Sequence, residues 1–356
     1  MEVPIDTILD DIAPQKSGKV YKAIWDMFLT DVGMSGVEHL QEKHFLAYFY
    51  GLKKKGYKSS TLWNRFSILN NVYQRHTGKK LQLEYPRVIM QLKAYQNGYQ
   101  RKCAKTFSLQ EFLDFMKKPL QSKYWVVRKA FAAIAWSGGL RCHELHQLKI
   151  GSIKFTTEGC QVSFEHAKQV AEVKQNTILV PFNKTNPSIC LASKVKMYLD
   201  ELGPLANDKT SPLFKGCMKG KHFVKSPMGK NTLHSIGKDV AKELGLDDWS
   251  CYTGHCWRRS SATQVAGEGA SVVDMKRQFG WRQESTAMRY IDGTETQMLK
   301  MATLSTGQKS LSIVSRTTNV SPTMINEQGS SSNEPKAQPS KAYHLTFGDN
   351  CNITIN

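Results

Sequence analysis

From Trp125 to Leu145 the chain reads Trp125-Val-Val-Arg-Lys-Ala-Phe-Ala-Ala-Ile-Ala-Trp136-Ser-Gly-Gly-Leu-Arg141-Cys-His-Glu144-Leu145. The stretch from Trp125 to Trp136 is strongly apolar. It is long enough for a buried helix and far short of the roughly 20 apolar residues that a membrane span needs. Ser137-Gly138-Gly139 then punctuates the pattern. What lies on either side decides the fold class.

Upstream, Ser108-Leu109-Gln110-Glu111 is a capping box, in which Ser108 can bond the Glu111 amide while Glu111 reaches back. Downstream, Ile153 to Phe155, Gln161 to Phe164 and Thr177 to Val180 predict short strands of a small antiparallel sheet, with a first turn at Glu158-Gly159. Helical patterns resume over 188–202, 230–244 (ended by Gly245), 255–267, 271–279 and 285–291. Helices, a small sheet, then helices again give an α+β fold, mostly helical.

The N-terminal third reads as a separate set of helices. Val20, Ile24 and Phe28, with Tyr21 and Trp25 alongside, form one stripe, and Leu40, His44, Phe45, Tyr48, Phe49 and Leu52 a second. Ser59 or Ser60 can cap a third helix, which carries Leu62, Phe66, Leu69 and Tyr73 and ends at Gly78. A fourth follows Pro86. The polar, basic run from Asn97 to Lys105 marks a joint. We therefore expect a helical domain over 1–100, a linker over 101–107 and a second domain over 108–305. From 306 the chain turns rich in Ser, Thr, Asn, Gln and Pro, a composition that cannot bury enough apolar area to order itself. Its last stretch, His344 to Ile355, alternates apolar and polar on both sides of a turn and suits a hairpin, a strand added to another chain's sheet or an unstructured end.

Charge narrows the function. The 356 residues carry a formal net charge of +19. Residues 40–105 hold 14 basic residues and only 2 acidic ones, whereas 306–356 hold 4 and 3. The charge belongs to the folded parts and suits a polyanion, whose condensed counterions are released on binding. Interleaving with Trp63, Tyr73, Tyr85, Tyr95 and Tyr99 favours nucleic acid. Lys53, Lys54, Lys55, Lys58, Arg65, Arg101, Lys102 and Arg259 are the candidate contacts to nucleic acid. The eight cysteines form no C-x-x-C pair and no zinc-finger spacing, so reduced thiols and a protein that is not secreted are expected. There is no phosphate-binding G-x-x-x-x-G-K-[ST] motif and no acidic metal cluster, so no cofactor, metal or small-molecule substrate is expected.

Four segments carry chemistry: Gly138-Gly139-Leu140-Arg141 with Glu144; a lysine in the hairpin between the second and third strands, Lys168 or Lys174; His255-Cys256-Trp257-Arg258; and Gly280-Trp281 with Tyr290 nine residues later. Singly each is weak, since an H-x-x-R pair arises by chance in a basic chain and a helical tyrosine is usually core. In this order they resemble the tyrosine recombinase (phage integrase) family over roughly 106–300. The intervals suit it too, with 27 residues from Arg141 to Lys168 and 35 from His255 to Tyr290. The filler around Ala262, Gly269 and Phe279 also matches.

The resemblance implies an N-terminal core-binding domain and a C-terminal catalytic domain. It also implies double-stranded DNA as substrate, a homo-tetramer on two sites, and strand exchange through a Holliday junction. Trp281 and the chain's size are similar to a eukaryotic Crypton-type mobile-element recombinase, which implies a nuclear location; a prokaryotic source would imply the cytoplasm. By family pattern Arg141 and Arg258 would hold the non-bridging phosphate oxygens, as planar guanidinium forks can. Tyr290 would attack phosphorus, Lys168 (or Lys174) would protonate the departing 5′-oxygen, and His255 would assist proton transfer. Trp281 would donate a further bond and Glu144 would orient its neighbours. A type IB topoisomerase-like relaxing enzyme shares this chemistry, and a DNA-binding regulator could keep the fold without recombining.

Overall fold

The structure, a computed structural model, describes residues 8, 17–99, 103–119, 122–165, 175–292, 294–306, 343–347 and 351–355. It divides into one unit over Met1–Met301 and a second over Ala302–Asn356.

The first unit begins with helices α1 (Gly18–Val32), α2 (Glu42–Lys54), α3 (Ser59–Thr77), the single turn α4 (Leu81–Glu84) and α5 (Pro86–Gln96). Their apolar stripes meet in an aromatic core, with Phe28 stacked on Phe45 at 4.8 Å and edge-on to Tyr48 at 5.1 Å. Three details differ from the sequence reading. Val20 faces solvent, and Trp25 and Phe28 carry the burial on α1 instead. The N-cap of α3 is Lys58 rather than a serine, and no side chain caps it; Ser59 is buried inside the first turn. Trp63, Tyr73, Tyr85 and Tyr95 are drawn into this core or against it, and of these Tyr95 also meets a surface lysine, with Lys53 Nζ 5.6 Å from its ring centroid.

The capping box at Ser108 forms as read: Ser108 Oγ accepts from the Glu111 amide at 3.2 Å and Glu111 Oε2 from the Ser108 amide at 2.7 Å. It starts α6 (Leu109–Lys117), which leads to α7 (Lys123–Gly138). Helix α7 is the central element, buried from Val126 to Trp136. Its two buried charges are matched: Arg128 donates to Asp239 at 2.9 and 2.8 Å, and Lys129 donates to the carbonyls of Met116 and Lys118. A buried charge without such partners would cost several kcal/mol, on the order of 3–5.

After the short α8 (Cys142–Gln147) come β1 (Ile153–Phe155), β2 (Gly159–Glu165) and β3 (Gln175–Pro181), an antiparallel sheet in the order β1-β2-β3. Val162 pairs with both Ile153 and Ile178, which puts the apolar face of all three strands on one side. Then follow α9 (Leu191–Leu202), a hairpin of β4 (Lys215–Met218) and β5 (His222–Pro227), α10 (Lys230–Glu243), α11 (Cys256–Gly267), α12 (Val272–Phe279), α13 (Glu284–Ile291) and α14 (Glu295–Thr306). The β4–β5 hairpin is absent from the sequence reading, because its lysines and glycines show no alternation. Helix α9 starts later than expected: Pro187 opens a 3-10 turn over Pro187–Ile189 first. In the second unit β6 (Tyr343–Phe347) pairs antiparallel with β7 (Cys351–Ile355), the hairpin among the three readings of this stretch. Among the described residues no helix is long and apolar enough to cross a membrane.

Candidate active site

Helix α7 ends at Gly138, and Gly139 follows in the left-handed conformation (φ 55°, ψ 32°), which turns the chain sharply toward Arg141. Both glycines are crowded by their neighbours. A Cβ on Gly138 would lie 2.3 Å from Ile178 Cδ1 on β3, and one on Gly139 would lie 2.2 Å from Phe279 Cε1 on α12. The turn is thus clasped between sheet and helix, and Gln278 Nε2 donates to the Ser137 carbonyl at 2.9 Å.

Arg141 is the N-cap of α8. Its amide donates to Glu144 Oε2 at 2.7 Å and its Nη1 to Glu144 Oε1 at 2.8 Å. The Glu144 side chain is 1% exposed and that of Arg141 33%. The carboxylate therefore sits inside and the guanidinium reaches outward.

Arg258 comes from α11 and is 6% exposed. Its Nη1 donates to the Gly139 carbonyl at 2.8 Å and its Nη2 to the Phe279 carbonyl. Its guanidinium carbon lies 5.5 Å from the Phe279 ring centroid and 5.3 Å from that of Trp281. Burial, and then the positive charge of Arg141, pull its pKa down to about 10, while Glu144 and Tyr290 act the other way. It stays cationic at neutral pH. Two guanidinium groups in mutual repulsion, with a single carboxylate already committed to one of them, leave a site that an anion would relieve.

Tyr290, on α13, is stacked on Trp281 with ring centroids 5.3 Å apart and planes 5° apart. Trp281 stacks in turn on Phe279 at 4.8 Å and 23°. His255 is the exposed N-cap of α11, one turn before Arg258. The preceding Gly254 lets the chain pass close by: a Cβ there would lie 2.4 Å from His234 Nδ1 and 2.9 Å from Cys142 Sγ.

The structure thus brings together Arg141, Glu144, Arg258, Trp281 and Tyr290, and puts His255 at the start of the Arg258 helix. Tyr252, the other phenol near this motif, is 5% exposed and packs on Phe107 at 4.5 Å in the core. Lys168, Lys174, Arg101 and Lys102 lie outside the described residues. Lys53, Lys54, Lys55 and Lys58 are exposed, whereas Arg65 is half-buried beside Tyr48. Arg259, expected as a DNA contact, is half-buried and its Nη1 donates to the Ala104 carbonyl, which ties the segment before α6 to α11. Phe279, passed over as filler, meets Arg258, Trp281 and the Gly139 turn, and only the double glycine hinted at something lying close to it. Among the described residues no group of three His, Cys, Asp or Glu side chains is placed to hold a metal ion.

Comparison with known proteins bears on the family and the fold. The phage integrase family model matches residues 105–297. An integrase/recombinase xerD homolog from Selenomonas ruminantium is 24% identical over 164 residues, 46% of either chain, so this chain spans about half the length of that curated relative. The Tn1549 transposon integrase in complex with circular intermediate DNA superposes with a TM-score of 0.56 at 15% identity, over 83% of this chain and 95% of that one. A lambda integrase (75–356) dimer bound to a COC′ core site gives 0.53 at 15% identity, over 82% and 93%. At these identities the structural likeness is one of fold.

Proposed function

We propose, since the chain belongs to the phage integrase (tyrosine recombinase) family, that it cuts and rejoins DNA at a specific site through a 3′-phosphotyrosyl intermediate. The observation that carries this is the clasped pair of guanidinium groups, Arg141 and Arg258, with the Tyr290 ring of the same chain beside them. Two non-bridging oxygens of a phosphodiester complement such a pair, and charge that develops on the phosphorane is stabilised there. Tyr290 Oη attacks phosphorus and loses its proton with help from His255. The bond from phosphorus to the 5′-oxygen breaks, and that oxygen takes a proton from Lys168 or Lys174. The phosphotyrosine keeps the bond energy, so rejoining by a second 5′-hydroxyl needs no ATP.

In this reading the helical segment up to residue 100 is the core-binding domain, and its exposed Lys53, Lys54, Lys55 and Lys58 follow the DNA backbone. Exchange between two sites requires a homo-tetramer and a Holliday-junction intermediate. Trp281 supports a Crypton-type mobile-element enzyme acting in the nucleus. The test is a nicked suicide duplex carrying the target site. Wild type forms a denaturant-resistant protein–DNA adduct and Tyr290→Phe forms none. An adduct in the Phe variant overturns the assignment of Tyr290. Relaxation of supercoiled plasmid without recombinant product would shift the reading to a topoisomerase-like enzyme.

A further inference from the structure

We infer that Phe279 is a positioning residue that sets the arginine pocket and the tyrosine nucleophile at once; the role rests on the function proposed above. Three contacts of one residue carry the inference. Its carbonyl accepts from Arg258 Nη2, so the backbone at 279 fixes one edge of that guanidinium. Its ring occupies the space that a side chain at position 139 would fill, so it fixes the turn whose carbonyl holds the other edge and which leads to Arg141. The same ring begins the column Phe279, Trp281, Tyr290, at 4.8 and 5.3 Å between successive centroids.

The geometry gives each contact a reason. Phe279 is fully buried and is the last residue of α12, and Gly280 follows in the left-handed conformation (φ 60°). That turn brings Trp281 back over the Phe279 ring. Near-parallel rings have little freedom to tilt one by one, so the azimuth of Phe279 is passed to the indole and from there to the phenol. Without the column Tyr290 would lose the stacked ring and keep only its packing against the small cluster that includes Ala287 and Ile291. A shift of about 1 Å between nucleophile and phosphorus costs on the order of a hundredfold in rate.

Phe279→Leu keeps an apolar side chain of similar bulk and removes the flat face. With the nicked suicide duplex at saturation, the first-order rate of adduct formation is expected to fall on the order of ten- to a hundredfold, while final adduct yield and DNA affinity stay within about threefold. A merely structural role would lower the yield, through fewer folded molecules, and leave the rate constant of the remainder unchanged; that result overturns the inference. A second readout needs no cleavage. In full-length protein labelled with 3-fluorotyrosine, the Tyr290 resonance is identified by its absence in Tyr290→Phe. It should shift or broaden in Phe279→Leu, and an unmoved resonance overturns the coupling. If wild type forms no adduct yet the resonance moves, the proposed function falls while the link from Phe279 to Tyr290 stands.

Discussion

Gly138 and Gly139 are adjacent and both crowded, yet alanine should behave differently at each. At Gly139 the new Cβ would sit 2.2 and 2.5 Å from two carbons of the Phe279 ring. That ring is buried between the turn and Trp281, so it has no other place to go. Overpacking of this kind costs about 1–3 kcal/mol, and an alanine held at φ 55° adds about 1–2 kcal/mol. The sum, roughly 2–5 kcal/mol, lowers the midpoint of thermal unfolding by roughly 4–20 °C at about 2–4 °C per kcal/mol for a domain of this size. At Gly138 the clash is with Ile178 Cδ1, the far end of a flexible side chain. The residue is helical, where alanine is better than glycine by up to about 1 kcal/mol. Gly138→Ala should therefore lie within about 1 kcal/mol of wild type. Differential scanning calorimetry on both variants, with adduct formation in parallel, decides the matter. Equal midpoints for the two, or a more stable Gly139→Ala, would refute the claim that Phe279 bears on the turn.

Arg141→Ala and Arg258→Ala should leave DNA affinity nearly unchanged and slow cleavage by on the order of 10²–10³, measured in single turnover; loss of binding with normal cleavage at saturation would contradict their role. Arg258→Lys should rescue little, because one ammonium cannot span the Gly139 and Phe279 carbonyls as the guanidinium fork does. Cys103 and Cys251 are exposed, whereas burial pushes the Cys142 and Cys160 thiols up to about 12 and the Cys256 thiol well up. Iodoacetamide followed by mass spectrometry should therefore mark the first two and spare the other three; early alkylation of Cys142 would show that the start of α8 is open to solvent. Burial, with Lys194 nearby, pulls Lys129 down to about 8 from 10.5. Between those values the unfolded chain binds more protons, so this group's penalty is full below pH 8 and is relieved as the pH rises toward 10.5. Chemical denaturation across that window should show stability rising with pH more in wild type than in Lys129→Met, and identical slopes would place Lys129 in water.

Much of the fold was legible because its signals are local. The capping box at Ser108 needs only Ser108 and Glu111, and the three-stranded sheet only its alternation. The site was legible as residue types in order. What escaped depends on contacts distant in the chain. Val20 has the spacing of a core residue, but Trp25 and Phe28 outweigh it in turning the helix. Lys58 starts α3 because its backbone is extended, which no side-chain pattern announces. Arg259 reads as a free charge until the Ala104 carbonyl arrives from 155 residues away. Phe279 reads as helix-end filler because the face of a ring gives no sign in sequence of what will lie against it.

The two carbonyls that grip Arg258 have a consequence for synthesis. Gly139 precedes Arg258 by 119 residues, and Phe279 follows it by 21. A ribosome releases the double-glycine turn long before it has made the cation that the turn will hold. During that interval the residues of the central helix and the sheet have been made, but not those that close the pocket. The pocket therefore closes late, with nearly all of the first unit already translated, and a truncated product ending before α12 would lack the Phe279 carbonyl that completes it.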